Sequence, residues 1–255
     1  MSRPRPTAAA PLAVVLAAGV GRRLGELTAA RPKAMIEVGG VPLLERTLSA
    51  LEASGFQDVL VVTGHCAEVI DEFLAYRRGS IQTRTLFNPK FAEANNVVSL
   101  LVAEEELYDG FCLLNSDIVF DRSLLADVRS NTGGVSLVVD GDEPLGPEEM
   151  KVELDGRGFV RRISKSLEPA DSAGEYIGIA RFDAASTGIV LEAAKALVAA
   201  GRVDLYYEDA IDASASALDA RIITTDRRKW TEIDDLADFE RAQRVAAELD
   251  RVAAA

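Results

Sequence analysis

The chain has 255 residues, 48% of them hydrophobic, which is enough for one globular domain with a sizeable core. Its net charge of −13 argues against a nucleic-acid backbone as partner, which needs a basic face, and no apolar run approaches the ~20 residues that cross a bilayer. Cys66 and Cys112 are isolated among apolar residues and predict buried thiols, while the single histidine, His65, rules out a multi-histidine metal site. Residues 1–10 contain Arg3 and Arg5 but lack the continuous apolar core of a signal peptide. They are expected to be a disordered tail of a cytoplasmic protein, ahead of one domain over 11–255.

Pro11 to Leu16 predicts a short buried strand, and the stretch that follows is nearly stripped of side chains: Leu16, Ala17, Ala18, Gly19, Val20, Gly21. Bare backbone lets N–H groups approach an anion, and Arg23 and Lys33 supply two cations close by in sequence. Strand, bare loop, then Arg and Lys is a way to grip a polyphosphate. The loop lacks the Gly-Lys pair of a Walker loop, and Leu24 stands where a dinucleotide fingerprint needs its third small residue.

Further along, Leu43, Leu44, Leu48 and Leu51 predict a helix that stops at Gly55. Val59–Val62 predicts a strand, 67–76 a short amphipathic helix, 83–87 a strand, 96–106 a helix, and 110–115 a fully apolar strand ending at Ser116-Asp117. Alternation at this pace indicates an α/β protein with a doubly wound, mostly parallel, Rossmann-like sheet, whose ligands sit beyond the carboxyl ends of the strands. From Gly134 the pattern changes. Strands at 135–139, 151–154, 159–163 and 176–182, joined by turns such as Asp155-Gly156, predict added antiparallel pairing in the C-terminal half. A helix over 187–200, another over 210–218, a strand over 220–225 and a closing helix over 236–254 complete the chain.

Two acidic sites stand out. Asp117 follows a buried strand and would face the loop's cleft, with Mg²⁺ as the natural partner of its oxygens. In Trp230-Thr-Glu-Ile-Asp-Asp235, an extended backbone would put Glu232 and Asp234 on the face opposite Ile233, so that Asp234 joins Asp117 on a metal while Asp235 caps the closing helix. Asn95 and Asn96 either read base edges or cap a helix. Tyr206, Tyr207, Glu208 and Asp209 would line a pocket suited to a cationic group, unless the two tyrosines are simply packed. Of Lys151 and Lys165, one is expected to project towards a bound anionic group.

The string L-A-A-G-x-G-x-R-L…P-K, complete at 16–24 and 32–33, resembles the signature of the nucleotidyltransferases that activate sugars and alcohols. Asn-Ser stands before Asp117 where that family has other residues, but 230–235 resembles its second metal motif. Residues 94–100, 175–182 and 203–210 resemble the cytidylyltransferase branch, which uses CTP to activate phosphocholine, inositol 1-phosphate or phosphonates such as 2-aminoethylphosphonate. The resemblance implies a GT-A-like nucleotidyltransferase fold and a Mg²⁺-dependent cytidylyltransferase acting on CTP and a small phosphate or phosphonate, with the homodimer as an open expectation. Leu16, Ala17, Ala18, Gly19, Gly21, Arg23, Lys33, Asn95, Asn96 and Ser116 would bind the nucleotide, with Arg23 and Lys33 catalytic. Asp117 and Asp234 would hold the metal. Lys151, Lys165, Tyr176, Tyr207, Glu208 and Asp209 would hold the acceptor. The alternatives are a sugar-1-phosphate uridylyl- or thymidylyltransferase and a non-catalytic nucleotide-sensing subunit.

Overall fold

In the computed structural model, which describes residues 11–253, the tail expected at 1–10 lies outside the described residues. Strand β1 (Leu12–Ala17) is buried along its whole length, as a strand of Leu, Ala and Val covered on both faces must be. Two 3₁₀ turns (Arg22–Leu27 and Lys33–Met35) lead to a small hairpin, β2 (Glu37–Val38) and β3 (Val41–Pro42). Gly39 and Gly40 turn it, both at positive φ (63° and 76°), where glycine carries no steric penalty. Then come α1 (Leu43–Ala53), β4 (Asp58–Thr63), α2 (Ala67–Tyr76), β5 (Gln82–Phe87), α3 (Asn96–Val102), α4 (Glu104–Leu107) and β6 (Phe111–Asn115). The second half runs β7 (Ile118–Phe120), α5 (Leu124–Ser130), β8 (Val135–Asp140), β9 (Lys151–Leu154), β10 (Val160–Ser164) and β11 (Gly174–Phe182). It closes with α6 (Ala184–Ala199), α7 (Tyr207–Ser214), β12 (Ala220–Thr224), β13 (Trp230–Glu232) and α8 (Leu236–Ala253).

Nine strands form the main sheet, in the order β10-β9-β11-β6-β1-β4-β5, with β8 pairing β11 and carrying β12 beyond it. β6, β1, β4 and β5 are mutually parallel, whereas β11 runs antiparallel to β6, β8 and β9. The sheet is therefore mostly parallel in its first half with antiparallel strands added in the second, as the sequence predicts. From β1 the chain steps to β4 and β5 on one side and then crosses to β6 on the other. The order of connection reverses beside β1, and a crevice opens there past the carboxyl ends of β1 and β6.

Alternation along β1 divides the core. Leu12 and Val14 join Leu60, Leu113, Leu191 and Tyr207 on one face; Ala13 and Val15 join Leu48, Val61, Leu114 and Leu125 on the other. A third cluster lies outside the sheet, where Ala242 and Ala246 of α8 pack with Leu24, Ile36, Val119 and Ile233. It ties the C-terminal helix and the β7–β13 pair to the loop after β1. No helix among the described residues is long and apolar enough to cross a membrane.

Where boundaries depart from expectation, side-chain caps and short contacts decide. α6 begins at Ala184 rather than 187 because the Asp183 carboxylate accepts from the Ser186 N–H (2.8 Å). The helix expected over 96–106 is broken at Ala103, whose N–H bonds the Leu100 carbonyl. The helix expected from Ala210 starts at Tyr207. α5, β7 and the β2–β3 hairpin are too short for periodicity to reveal. Of the two thiols expected to be buried, Cys112 is, but Cys66 is half-exposed at the start of α2.

Leu113, fully buried in β6 at the sheet's centre, tests this architecture. Leu113→Ala is expected to lower unfolding free energy by about 2–5 kcal/mol through lost burial and a residual cavity, read as a shifted urea midpoint with an unchanged m-value.

Candidate active site

The crevice past β1 and β6 is a cleft of about 820 Å³ that contains Leu16, Ala18 and Gly19 from the bare loop. A Cβ on Gly19 would meet nothing within 4 Å, so its bareness serves the open space rather than packing. Gly21, at φ +64°, turns the chain; a Cβ there would sit 3.0 Å from Thr28 Cγ2, while the Thr28 hydroxyl donates to the Gly21 carbonyl (2.9 Å). Ala17 and Gly21 thus shape the loop without lining the cleft, and Ala17 packs into the core. His65 donates from Nε2 to the Thr28 carbonyl (2.9 Å) and its N–H to the Ala18 carbonyl, bracing the loop from behind.

Arg23 and Lys33 reach the cleft from the two 3₁₀ turns. The Lys33 ammonium donates to Asp117 Oδ2 (2.7 Å) and Asp234 Oδ1 (2.8 Å), and Arg23 donates to Asp234 Oδ2 (2.7 Å). Asp117 lies in the turn between β6 and β7. β13 pairs with β7, and the Ile233 N–H donates to the Asp117 carbonyl (3.0 Å), locking the two acidic segments together. Ile233 is fully buried, so its neighbours Glu232 and Asp234 face the cleft. Asp235 caps α8, accepting from the Ala237 and Asp238 N–H groups (2.8 and 3.0 Å). The expected cap at Asp235 is therefore formed, and Asp234 faces the same cleft as Asp117.

Carboxylate oxygens of Asp117, Glu232 and Asp234 lie within 4.8 Å of one another. Burial pushes the Glu232 carboxyl well above the usual range, and the charges of Asp117 and Asp234 add to the effect. Asp234 goes the other way: although burial opposes its ionisation, Lys33 and Arg23 hold it below the ordinary value. Burial likewise opposes the Lys33 charge, but the two aspartates outweigh it and keep the ammonium protonated. Asp117 Oδ1 is buried with no hydrogen-bond partner. An acceptor left bare among three converging carboxylates is the chemistry a hard divalent cation satisfies, so these residues fit Mg²⁺. Glu232 is the member missing from the metal pair chosen on sequence, although the alternation through 230–235 already put it on the face of Asp234.

The acceptor residues divide. Lys165, Glu208 and Tyr176 line the cleft. Lys151 does not: it is 1% exposed, and its ammonium donates to the backbone carbonyls of Glu149 and Lys165 (3.0 and 2.7 Å). Tyr207 is fully buried, its hydroxyl 2.9 Å from that of Tyr176 and 3.3 Å from Asn115 Oδ1, which makes it a core residue. Asp209 is a cap, accepting from the Tyr206 N–H (2.8 Å) at the start of α7. Tyr206, next to these, does face the cleft. Asn95 caps α3 by accepting from the Asn96 N–H (2.8 Å), and Asn96 Oδ1 accepts from the Tyr207 N–H (2.7 Å). Both amides border the cleft with part of their hydrogen-bonding capacity committed to the fold, and Ser116 borders it too. Glu175, the first residue of the 175–182 motif, borders the cleft as well; burial, then Glu149 and Asp140, push its carboxyl up to about 7.

Glu232 yields a stability test. A carboxyl whose pKa is raised on folding, from an ordinary 4.5, costs stability as pH rises above that value. Glu232→Gln removes the cost, so the ligand-free variant is expected to melt above the wild type at pH 7.5, with the difference closing towards pH 4. A lower Tm at pH 7.5 would mean that Glu232 is ionised and paired.

Comparison with known proteins agrees with the fold. The model of the MobA-like NTP transferase domain matches residues 13–147, from β1 through the carboxyl end of β8. A choline-phosphate cytidylyltransferase of Streptococcus pneumoniae is 25% identical over 243 residues, covering 91% of this chain and 97% of that one. A CMP-5'-(3-aminopropyl)phosphonate synthase of Streptomyces rubellomurinus is 36% identical over 142 residues, which is 56% of this chain but only 22% of that larger protein. Among solved structures, a CTP:phosphocholine cytidylyltransferase from Streptococcus pneumoniae superposes with a TM-score of 0.80 at 23% identity, covering 92% of this chain and 99% of that one, and shares the fold. The bare loop, its two cations and the strand-end aspartate all fall inside the matched segment, and this chain belongs to the MobA-like NTP transferase family.

Proposed function

We propose that this protein is a Mg²⁺-dependent cytidylyltransferase that transfers CMP from CTP to a small acceptor bearing a phosphate or phosphonate, releasing pyrophosphate. The observation that carries the reading is the convergence of Lys33 and Arg23 with three carboxylates beside a bare loop, at the mouth of one cleft. The relatives named above support CTP as the nucleotide and a small phosphate or phosphonate as the acceptor. The cytoplasm, where CTP is made, is the compartment this activity implies.

An oxygen of the acceptor's phosphate or phosphonate attacks the α-phosphorus of CTP and forms the new O–P bond. The bond from the α-phosphorus to the bridging oxygen breaks, and pyrophosphate leaves with that electron pair. The attacking oxygen is already ionised at neutral pH, so no protein nucleophile or general base is required. Arg23 and Lys33 neutralise the triphosphate and the charge that grows on the departing pyrophosphate. Gly19 leaves room for the phosphates to approach the loop backbone. Asp117 and Asp234, with Glu232, would hold the cation, which when bound supplies Lewis-acid neutralisation of phosphate charge. Lys165 stands across the cleft as a cation for the acceptor's anionic group. With phosphate-gripping cations and acidic ligands all retained, a sensing subunit is the weaker reading.

Pyrophosphate release with Mg²⁺, measured for the four NTPs against phosphocholine, 2-aminoethylphosphonate, inositol 1-phosphate and glucose 1-phosphate, tests the proposal. Release with CTP and a non-sugar acceptor is expected; release only with UTP or dTTP and glucose 1-phosphate would replace it with sugar-phosphate chemistry. Lys33→Ala is expected to lower kcat/KM by about 10²–10³ with the far-ultraviolet circular dichroism unchanged, as for loss of one preorganised charge at a transition state. Full turnover in that variant would remove Lys33 from the mechanism.

A further inference from the structure

The chain's one histidine stands behind the cleft, yet it touches both walls of the nucleotide end. Ala17, Thr63 and Phe87 are in register across β1, β4 and β5. The turn after β4 therefore leaves the sheet between the bare loop and the segment that carries Phe91, Asn95 and Asn96. It is packed closely against both. A Cβ on Gly64 would stand 2.6 Å from the Ala18 carbonyl oxygen and 2.5 Å from Phe91 Cβ, so only glycine lets the three segments meet there. Two residues on, Cys66 lies at φ 47° and ψ 46°, in the left-handed region. That conformation costs a non-glycine residue about 1–2 kcal/mol, and it persists where surrounding contacts over-determine it, characteristically at functional sites.

What this turn fixes is His65. Its backbone N–H donates to the Ala18 carbonyl (3.2 Å) and its Nε2 to the Thr28 carbonyl (2.9 Å), while the Thr28 hydroxyl donates to the Gly21 carbonyl (2.9 Å). One residue thus holds the bare loop at both ends, with Gly21 tied in between. On its other side the His65 ring lies 6.4 Å from the Phe91 ring, centre to centre, and Phe91 stands edge-on to Phe87 (6.1 Å, 62°). Phe91, Ala18 and Gly19 all border the cleft. The Phe91 wall is itself anchored, because the Asn88 N–H donates to the Thr63 carbonyl (2.8 Å) and its side-chain amide to Ser99 Oγ (3.0 Å). A nucleotide's phosphates and base belong to one molecule, so two surfaces that hold it must keep a fixed spacing for the α-phosphorus to stand in line with its attacker. A ring with one N–H donor on its edge can hold a backbone loop and an aromatic wall at once.

We infer that His65 is a positioning residue for the nucleotide: without touching it, the imidazole sets the spacing between the bare loop and the Phe91 wall. The inference rests on the transferase reading above, whose chemistry gives His65 no part.

The test pairs kinetics with amide hydrogen exchange of the nucleotide-free protein. CTP is varied at a saturating level of whichever acceptor in the panel above releases most pyrophosphate. His65→Ala is expected to lower kcat/KM for CTP by about 10–100-fold, the scale of a misplaced reactant, with the acceptor KM unmoved. Its amide exchange is expected to quicken over 18–28 and over 88–96 together. His65→Gln, whose side-chain N–H can again reach the Thr28 carbonyl, should return turnover to within about threefold of the wild type and slow the exchange over 18–28. His65→Phe, with a ring but no donor, should quicken exchange over 18–28 and leave 88–96 as it was. Unchanged exchange in His65→Ala, an unchanged kcat/KM for CTP, or a Gln variant as poor as the Ala variant would each overturn the inference and leave the transferase reading intact. So would a rise in the acceptor KM equal to that for CTP, which marks general damage to the cleft. Silence of the wild type with CTP and every acceptor would overturn the transferase reading and this inference with it.

Discussion

The Lys33 ammonium sits between Asp117 and Asp234, at 2.7 and 2.8 Å, and joins three segments that lie 84 and 201 residues apart in the chain. Three carboxylates held within 4.8 Å of one another would repel, and in this partly buried setting they need positive charge to stay together. Lys33 and Arg23 supply it. The same two cations are the groups that would neutralise a triphosphate in the proposed reaction, so the carboxylates are balanced from within the cleft. Glu232 is the member left over, and its carboxyl is driven towards the neutral form by burial and by the two aspartates.

That balance depends on packing remote from the cleft. Asp234 belongs to the last fifth of the chain and reaches the first loop because α8 docks Ala242 and Ala246 against Leu24, Ile36 and Val119. The three-residue pair β7–β13 then sets register, with Glu232 opposite Ile118 and Ile233 buried. A slip of one residue in that pair would bury the two carboxylates and expose Ile233. At the other wall, β11 passes close to the end of β6 because residue 178 is glycine: φ is +81°, and a Cβ there would stand 2.6 Å from the Asn115 amide. Asn115 in turn accepts from Tyr207, so the strand that lets β11 through also anchors the start of α7 and thereby Glu208.

The two walls follow different physics. Around the carboxylate trio, Lys33 and Arg23 lie within hydrogen-bonding distance of Asp117 and Asp234, whereas Glu232 has no counter-charge in contact. At the opposite wall, Glu175 and Glu208 are both buried enough to be pushed up to about 7.

Much of this was legible in the chain itself. The apolar run of β1, the bare loop after it, the alternation of strands and helices, and the shift to antiparallel strands after Gly134 are local patterns, and local patterns are what hydrophobic periodicity and glycine placement report. Asp117, Asp234, Arg23 and Lys33 could be named because each ends or follows such a pattern. Lys151, Tyr207 and Asp209 could not be told from cleft residues, because a lysine in a strand, a tyrosine pair and an acidic helix start look alike whether they face a ligand or bond to backbone. Only packing turned Lys151 onto two carbonyls, Tyr207 into the core and Asp209 onto the Tyr206 N–H. The sequence by itself determined the fold class and the composition of the bare loop with its two cations, since both are written in neighbouring residues. Which acidic groups meet and which are left without a counter-charge were decided by tertiary structure, because they depend on distances between segments up to about two hundred residues apart.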